Sequence, residues 1–145
     1  MKKPLVYIAA PLFTPEERAL NVRLRELILP HADVYLPQLD GILFAEAIRA
    51  GADPVTTSQE IFKSDTHAIA ECDALLIVLN GRTVDEGAAF ELGFARALGK
   101  ICAGYKEDTR QLLAVGDNPM ISQALSITTV TFEQVSEWAA SLQRD

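Results

Sequence analysis

The sequence is short of the residues on which much enzyme chemistry is built. It holds two histidines, two cysteines and one tryptophan in 145 residues. His31 follows the helix-ending Pro30 and His67 falls on a polar helix face, so both read as solvated residues. Ser/His/Asp and Cys/His catalysis are therefore unsupported. Cys72 and Cys102 lie in or beside predicted strands, with no partner at metal-ligand spacing. Such cysteines read as buried free thiols in a reducing cytoplasm. No Walker loop and no G-x-G-x-x-G is present; Ala9-Ala10-Pro11 stands where phosphate-cradling glycines would be. Basic charge is scarce as well, with 13 Lys and Arg against 20 Asp and Glu and a net charge of −7. Nucleic-acid binding needs clustered cations on the phosphates, so DNA and RNA are argued against as partners. The apolar runs are strand-length, far below the roughly 20 residues that span a bilayer, and no membrane partner is expected. Met1-Lys2-Lys3 looks like the start of a secretory signal, but the apolar segment after it breaks at Pro11 and turns acidic.

What is present is globular: 49% hydrophobic and 23% charged residues. The length suits one domain over residues 1–145 with a two- or three-layer core. Strand-like and helix-like segments alternate, the pattern of an α/β domain with a parallel sheet. Strands are predicted at Leu5 to Ala9, Asp33 to Leu36, Ala74 to Leu79, Ile101 to Tyr105 and Ile127 to Thr131. Thr14-Pro15-Glu16-Glu17 opens a helix with Thr as N-cap, Pro first and Glu third, carrying Leu20, Leu24, Leu27 and Ile28 on one face. Pro37 to Gly41 reads as a loop, Phe44 to Ala50 as a helix and Gly51 to Pro54 as a break. Ser58 to Ala70 reads as a helix on which Asp65 falls one turn from Ile61 and Ile69. A short helix opens at Asp117-Asn118-Pro119, and Phe132 to Leu142 makes a closing helix. Right-handed crossovers then give a flavodoxin-like, doubly wound five-stranded parallel sheet of order 2-1-3-4-5 with helices on both faces.

Asp85-Glu86-Gly87-Ala88-Ala89-Phe90-Glu91-Leu92-Gly93 is the most informative stretch. It follows the apolar central strand and runs into a helix closed by Gly99, so Asp85 and Glu91 sit at the sheet's carboxyl edge, where open α/β sheets bind ligands. Small and apolar neighbours give Glu91 no reason to be an ordinary surface residue. In the expected strand order, Tyr7 to Phe13 lies beside this segment, and Asp65 can join the two acids. Clustered carboxylates suit divalent metal binding or displacement at an anomeric carbon. Both stay open on spacing alone. A phenol, a poor magnesium ligand and a good donor to a nucleophilic carboxylate, favours the sugar chemistry.

Val6 to Phe13, Ser64-Asp65, Cys72 to Leu76 and Asp85 through Lys100 together resemble the nucleoside 2-deoxyribosyltransferase family. The similarity covers most of the chain in the same order, and Asp-x5-Glu-Leu-Gly is its most specific part. The resemblance implies ping-pong exchange of bases between 2′-deoxynucleosides in nucleotide salvage, without a cofactor or metal. The partners implied are 2′-deoxynucleosides and free purine or pyrimidine bases. Glu91 matches the nucleophile, Tyr7 the tyrosine that holds it, and Asp65 an aspartate near the base. Asp85 matches the residue on the deoxyribose hydroxyls, and Asn118 an asparagine given to the 5′-hydroxyl by a neighbouring subunit. A homo-oligomer with shared sites, a dimer or an assembly of dimers, is implied. Ala10 and Gly87 complete the substrate-binding positions. Leu12 stands where some members carry Trp, so Phe13 is expected to stack on the base. Gln38 is a candidate for a base edge, with a solvated loop residue as the competing reading. Some members end in a tyrosine that reaches a neighbour's site; this sequence ends Gln143-Arg144-Asp145, and that contact is not carried over. Two other readings compete: a hydrolase of deoxynucleoside 5′-monophosphates, for which the loop after the first strand lacks basic residues, and a non-catalytic nucleotide-sensing domain.

Overall fold

A computed structural model describes residues 2–142. Five strands, β1 (Leu5–Ala9), β2 (Asp33–Tyr35), β3 (Ala74–Val78), β4 (Ile101–Tyr105) and β5 (Ile127–Thr129), form one parallel sheet of order β2-β1-β3-β4-β5. This is the flavodoxin-like arrangement the alternation predicts. The β1 register sends Val6 and Ile8 to one core, and Tyr7 and Ala9 to the other. That period of two feeds helices on both faces. On the first face lie α1 (Pro15–Ile28) and α7 (Phe132–Ser141); on the second, α4 (Pro54–Glu71) and α5 (Glu86–Ala97). All five residues of β3 are buried, which explains its uninterrupted Ala-Leu-Leu-Ile-Val run.

Three short helices, α2 (Pro37–Asp40), α3 (Phe44–Arg49) and α6 (Pro119–Ser122), fill the connections. Residues Pro37 to Gly41, expected as a loop, contain the α2 turn. Pro37 supplies the helical φ, and the Asp40 carboxylate accepts from the Leu36 amide at 2.8 Å. The expected break at Gly51 to Pro54 is shorter than it reads, because Pro54 is the first residue of α4. The Asp53 side chain caps that helix by accepting from the Thr56 amide at 2.8 Å. Strand β5 stops at Thr129 rather than Thr131, since Thr131 caps α7 by accepting from Gln134. The capping box of α1, with Thr14 and Glu17 reciprocally bonded, is as expected. No helix among the described residues is long and apolar enough to cross a membrane.

Candidate active site

The carboxyl ends of β1 and β3 open between α4 and α5, because β1 lies next to β3 and the chain leaves them in opposite directions along the sheet order. Asp85 ends the loop after β3 and caps α5, its carboxylate accepting from the Ala88 amide at 2.9 Å. Glu91 follows in the second turn of α5, on the side that faces β1 and α4. Tyr7, wholly buried in β1, donates its phenol proton to the Glu91 carboxylate. Asp65 projects from the middle of α4 and accepts from the Tyr35 phenol at 3.3 Å. Together these groups floor and edge a cleft of about 520 Å³.

The cleft is apolar and acidic. Phe13, Phe44, Phe62 and Phe90 form much of its wall, and its charged lining residues are Asp65, Asp85 and Glu91. No Lys, Arg or His among the described residues lines it. Burial accordingly pushes the Glu91 carboxyl from its ordinary 4.5 up to about 8; the Tyr7 hydrogen bond pulls it down, and the charges of Asp65 and Asp85 push it further up. Burial, followed by the negative charges of Glu91 and Asp65, holds the Tyr7 phenol far above its usual range, so it remains a donor. Burial also raises Asp65, against the lowering effect of the Tyr35 hydrogen bond. Among the described residues no group of His, Cys, Asp or Glu is arranged to hold a metal ion.

The family model described as nucleoside 2-deoxyribosyltransferase matches residues 6–136. The chain belongs to the nucleoside 2-deoxyribosyltransferase family. No curated protein matches it. Among solved structures, a conserved protein from Enterococcus faecalis V583 is similar, with 24% identity, a TM-score of 0.77 and coverage of 97% of this chain and 99% of the other. The 2-deoxyribosyltransferase of Bacillus psychrosaccharolyticus is 20% identical, with a TM-score of 0.74 and coverage of 91% and 90%. The CMP N-glycosidase of Clostridium botulinum is 19% identical, with a TM-score of 0.53 and coverage of 95% and 96%. At these identities the likeness is one of fold.

Of the positions that the family resemblance singles out, Ala10, Phe13, Asp65, Asp85, Gly87 and Glu91 line the cleft, and Tyr7 lies against it through Glu91. Gln38 does not line it: its carbonyl accepts from Asn21 at 2.9 Å and its amide donates to the Arg18 carbonyl at 3.1 Å. Both ends of that side chain tie α2 to α1. Asn118 also lies outside this cleft. It caps α6 by accepting from the Met120 amide at 2.9 Å and lines a smaller hollow of about 210 Å³ with Arg82, Thr83 and Val84. Gln143, Arg144 and Asp145 fall outside the described residues. Sequence reasoning passed over Tyr35, whose hydroxyl meets Asp65. The signal available was its place in a predicted strand beside β1, but only the register shows that it sits level with Tyr7.

Tyr7→Phe tests the bond in this family member directly. Losing a hydrogen bond to a charged group removes ~1.5–3 kcal/mol, an order of magnitude or more in the chemical step. Because that bond favours the Glu91 carboxylate, its loss also raises the pH at which Glu91 ionises above about 8. A kcat/KM profile should show its acid limb displaced upward. A raised KM with kcat and the limb unchanged would make Tyr7 a binding residue alone.

Proposed function

We propose that this protein exchanges the bases of 2′-deoxynucleosides through a deoxyribosyl ester on Glu91. The observation that carries the reading is the wholly buried Tyr7 phenol donating to Glu91 at the edge of a cleft that no cation among the described residues lines. A Glu91 oxygen attacks C1′ as the N-glycosidic bond breaks. The bonding electrons leave with the base, which takes a proton from Asp65. A second base then attacks C1′, the ester bond breaks, and the Glu91 carboxylate is restored as the incoming base gives its proton to Asp65. Asp85 spends one oxygen on capping α5 and has the other for a deoxyribose hydroxyl. Phe13, 74% exposed at the mouth, offers a face for the base. The absence of cations from the cleft walls among the described residues speaks for an uncharged nucleoside over a monophosphate.

Incubation with deoxyinosine, with and without free adenine, tests this reading. Deoxyadenosine is the expected product. Hypoxanthine and free deoxyribose alone, whatever base is added, would make the enzyme a hydrolase; turnover of 5′-monophosphates only would move the substrate class as well.

The same reading makes the working unit a homo-oligomer in which Asn118 serves a neighbour's 5′-hydroxyl. In its own subunit Asn118 stands apart from the main cleft, and the segment around it exposes Val115 (93%) and Met120 (81%). Mixing inactive Glu91→Ala and Asn118→Ala subunits after dissociation should restore activity, because a hybrid holds one pocket with both residues intact. No recovery in confirmed hybrids would return Asn118 to its own subunit.

A further inference from the structure

The two carboxylates of the proposed mechanism are held by two phenols that the sheet places side by side. Tyr7 and Tyr35 are register partners on the neighbouring parallel strands β1 and β2. Their rings stack, with centroids 5.4 Å apart and planes 11° from parallel. From that paired platform the Tyr7 hydroxyl turns to Glu91 on α5, and the Tyr35 hydroxyl turns to Asp65 on α4. We propose that Tyr35 is a positioning residue for Asp65, holding its carboxyl at the cleft wall so that it meets the departing base. The proposal rests on the base-exchange reading above.

The local chemistry leaves Asp65 dependent on this one contact. Among the described residues no other hydrogen bond reaches its carboxylate. Tyr35 has a single hydroxyl proton. With that proton on Asp65 Oδ1 at 3.3 Å, the phenol oxygen accepts from the Ser64 hydroxyl at 3.2 Å, which fixes its direction from the preceding residue of the same helix. Gly41 keeps the space open: a Cβ there would lie 3.1 Å from both the Tyr35 hydroxyl and Asp65 Oδ1. The charged and titratable groups coupled to the pair are Glu91 from α5, Tyr7 from β1 and Asp40 from α2, and none of these is a cation. Burial favours the neutral acid, while the Tyr35 bond favours the carboxylate. Tyr35 therefore sets both where the Asp65 proton sits and how readily it is released. Its ring also packs on Tyr7, so a purely structural role has to be separated from one exerted through Asp65.

Tyr35→Phe keeps the stacked ring and removes only the hydroxyl. Four proteins are compared in the exchange of deoxyinosine with adenine across pH: wild type, Tyr35→Phe, Asp65→Asn and the double variant. The limb that vanishes in Asp65→Asn belongs to Asp65. In Tyr35→Phe that limb moves to higher pH and kcat falls about tenfold, with KM little changed. In the Asp65→Asn background, Tyr35→Phe has no further effect. Equal losses in both backgrounds, or an unmoved limb, would overturn the proposal and leave Tyr35 a packing residue. Titration of the Asp65 carboxyl carbon by NMR reads the same contact without turnover, and an ionisation unchanged by Tyr35→Phe would also overturn it. Absence of exchange by wild type would instead refute the function proposed above, so the two failures are distinguishable.

Discussion

Glu91→Gln is expected to cut base exchange by about 10³-fold or more and, at neutral pH, to make the fold more stable. The first effect follows from the proposed mechanism, because the amide cannot form the glycosyl ester and the intermediate itself would be lost. Wild type treated with a slow 2-fluoro-deoxynucleoside should gain the mass of one fluorinated deoxyribosyl group at Glu91, and the variant should gain none. The second effect follows from linkage. In the unfolded chain Glu91 ionises near its ordinary 4.5, whereas in the folded protein burial holds it up to about 8. Below both values each state is protonated and pH has no influence through this group. Between them the unfolded chain gives up the proton and the folded protein keeps it, so stability falls as pH rises, and the loss is complete above about 8. Glutamine cannot ionise and escapes this fall. Discounted for the cleft's contact with water, the difference at neutral pH is ~2 kcal/mol, or about 4–8 °C in Tm for a domain of this size. Melting curves of the two proteins should therefore converge at acid pH and separate as pH rises. An active Glu91→Gln protein, or curves that keep a constant offset, would contradict the assignment.

That tension between stability and reactivity is visible in the bare sequence at one residue only. Glu91 among Ala89, Phe90, Leu92 and Gly93 is a charge placed where an apolar side chain would pack better, and this oddity marks the site. The strand order was equally legible, because the burial of β3 and the strand–helix alternation leave few ways to build the sheet. Other features depend on contacts that spacing does not encode. Pro37 and Pro54 read as breaks, yet each begins a helix, since proline's fixed φ suits a first turn when a cap is at hand. Gln38 has the chemistry of a base reader, but α1 brings Asn21 and the Arg18 carbonyl to both ends of its amide. Tyr35 is one aromatic residue in a three-residue strand, and its meaning rests on the one register that sets it beside Tyr7. The phenylalanine walls come from the loop after β1 (Phe13) and from α3, α4 and α5, segments that are separate in the chain.

Asp65→Asn and Asp85→Asn should separate the two remaining acids by how their losses depend on the leaving base. Asn keeps the shape of Asp65 and can still accept from Tyr35, but it has no carboxyl proton to give. A general acid contributes about 10²–10⁴-fold, and most where the departing base is a poor leaving group. Asp65→Asn should thus suffer near the top of that range with poor leaving bases and little with those that depart readily as anions. Burial, which raises Asp65, is what keeps a proton available for the task. Asp85 stands elsewhere in the cleft, at the first turn of α5, with one oxygen bonded to the Ala88 amide. Asn is as good an N-cap as Asp, so Asp85→Asn should leave α5 intact. Under the proposed mechanism it weakens the contact offered to the deoxyribose hydroxyl, and the sugar is the same whatever base it carries. Its loss should therefore appear as a uniform factor in kcat/KM across deoxynucleosides of different bases. Plotted against leaving-group acidity, the Asp65→Asn line should be steeper than wild type and the Asp85→Asn line parallel to it. Two parallel lines would remove Asp65 from proton transfer, and two steep ones would bring Asp85 into it.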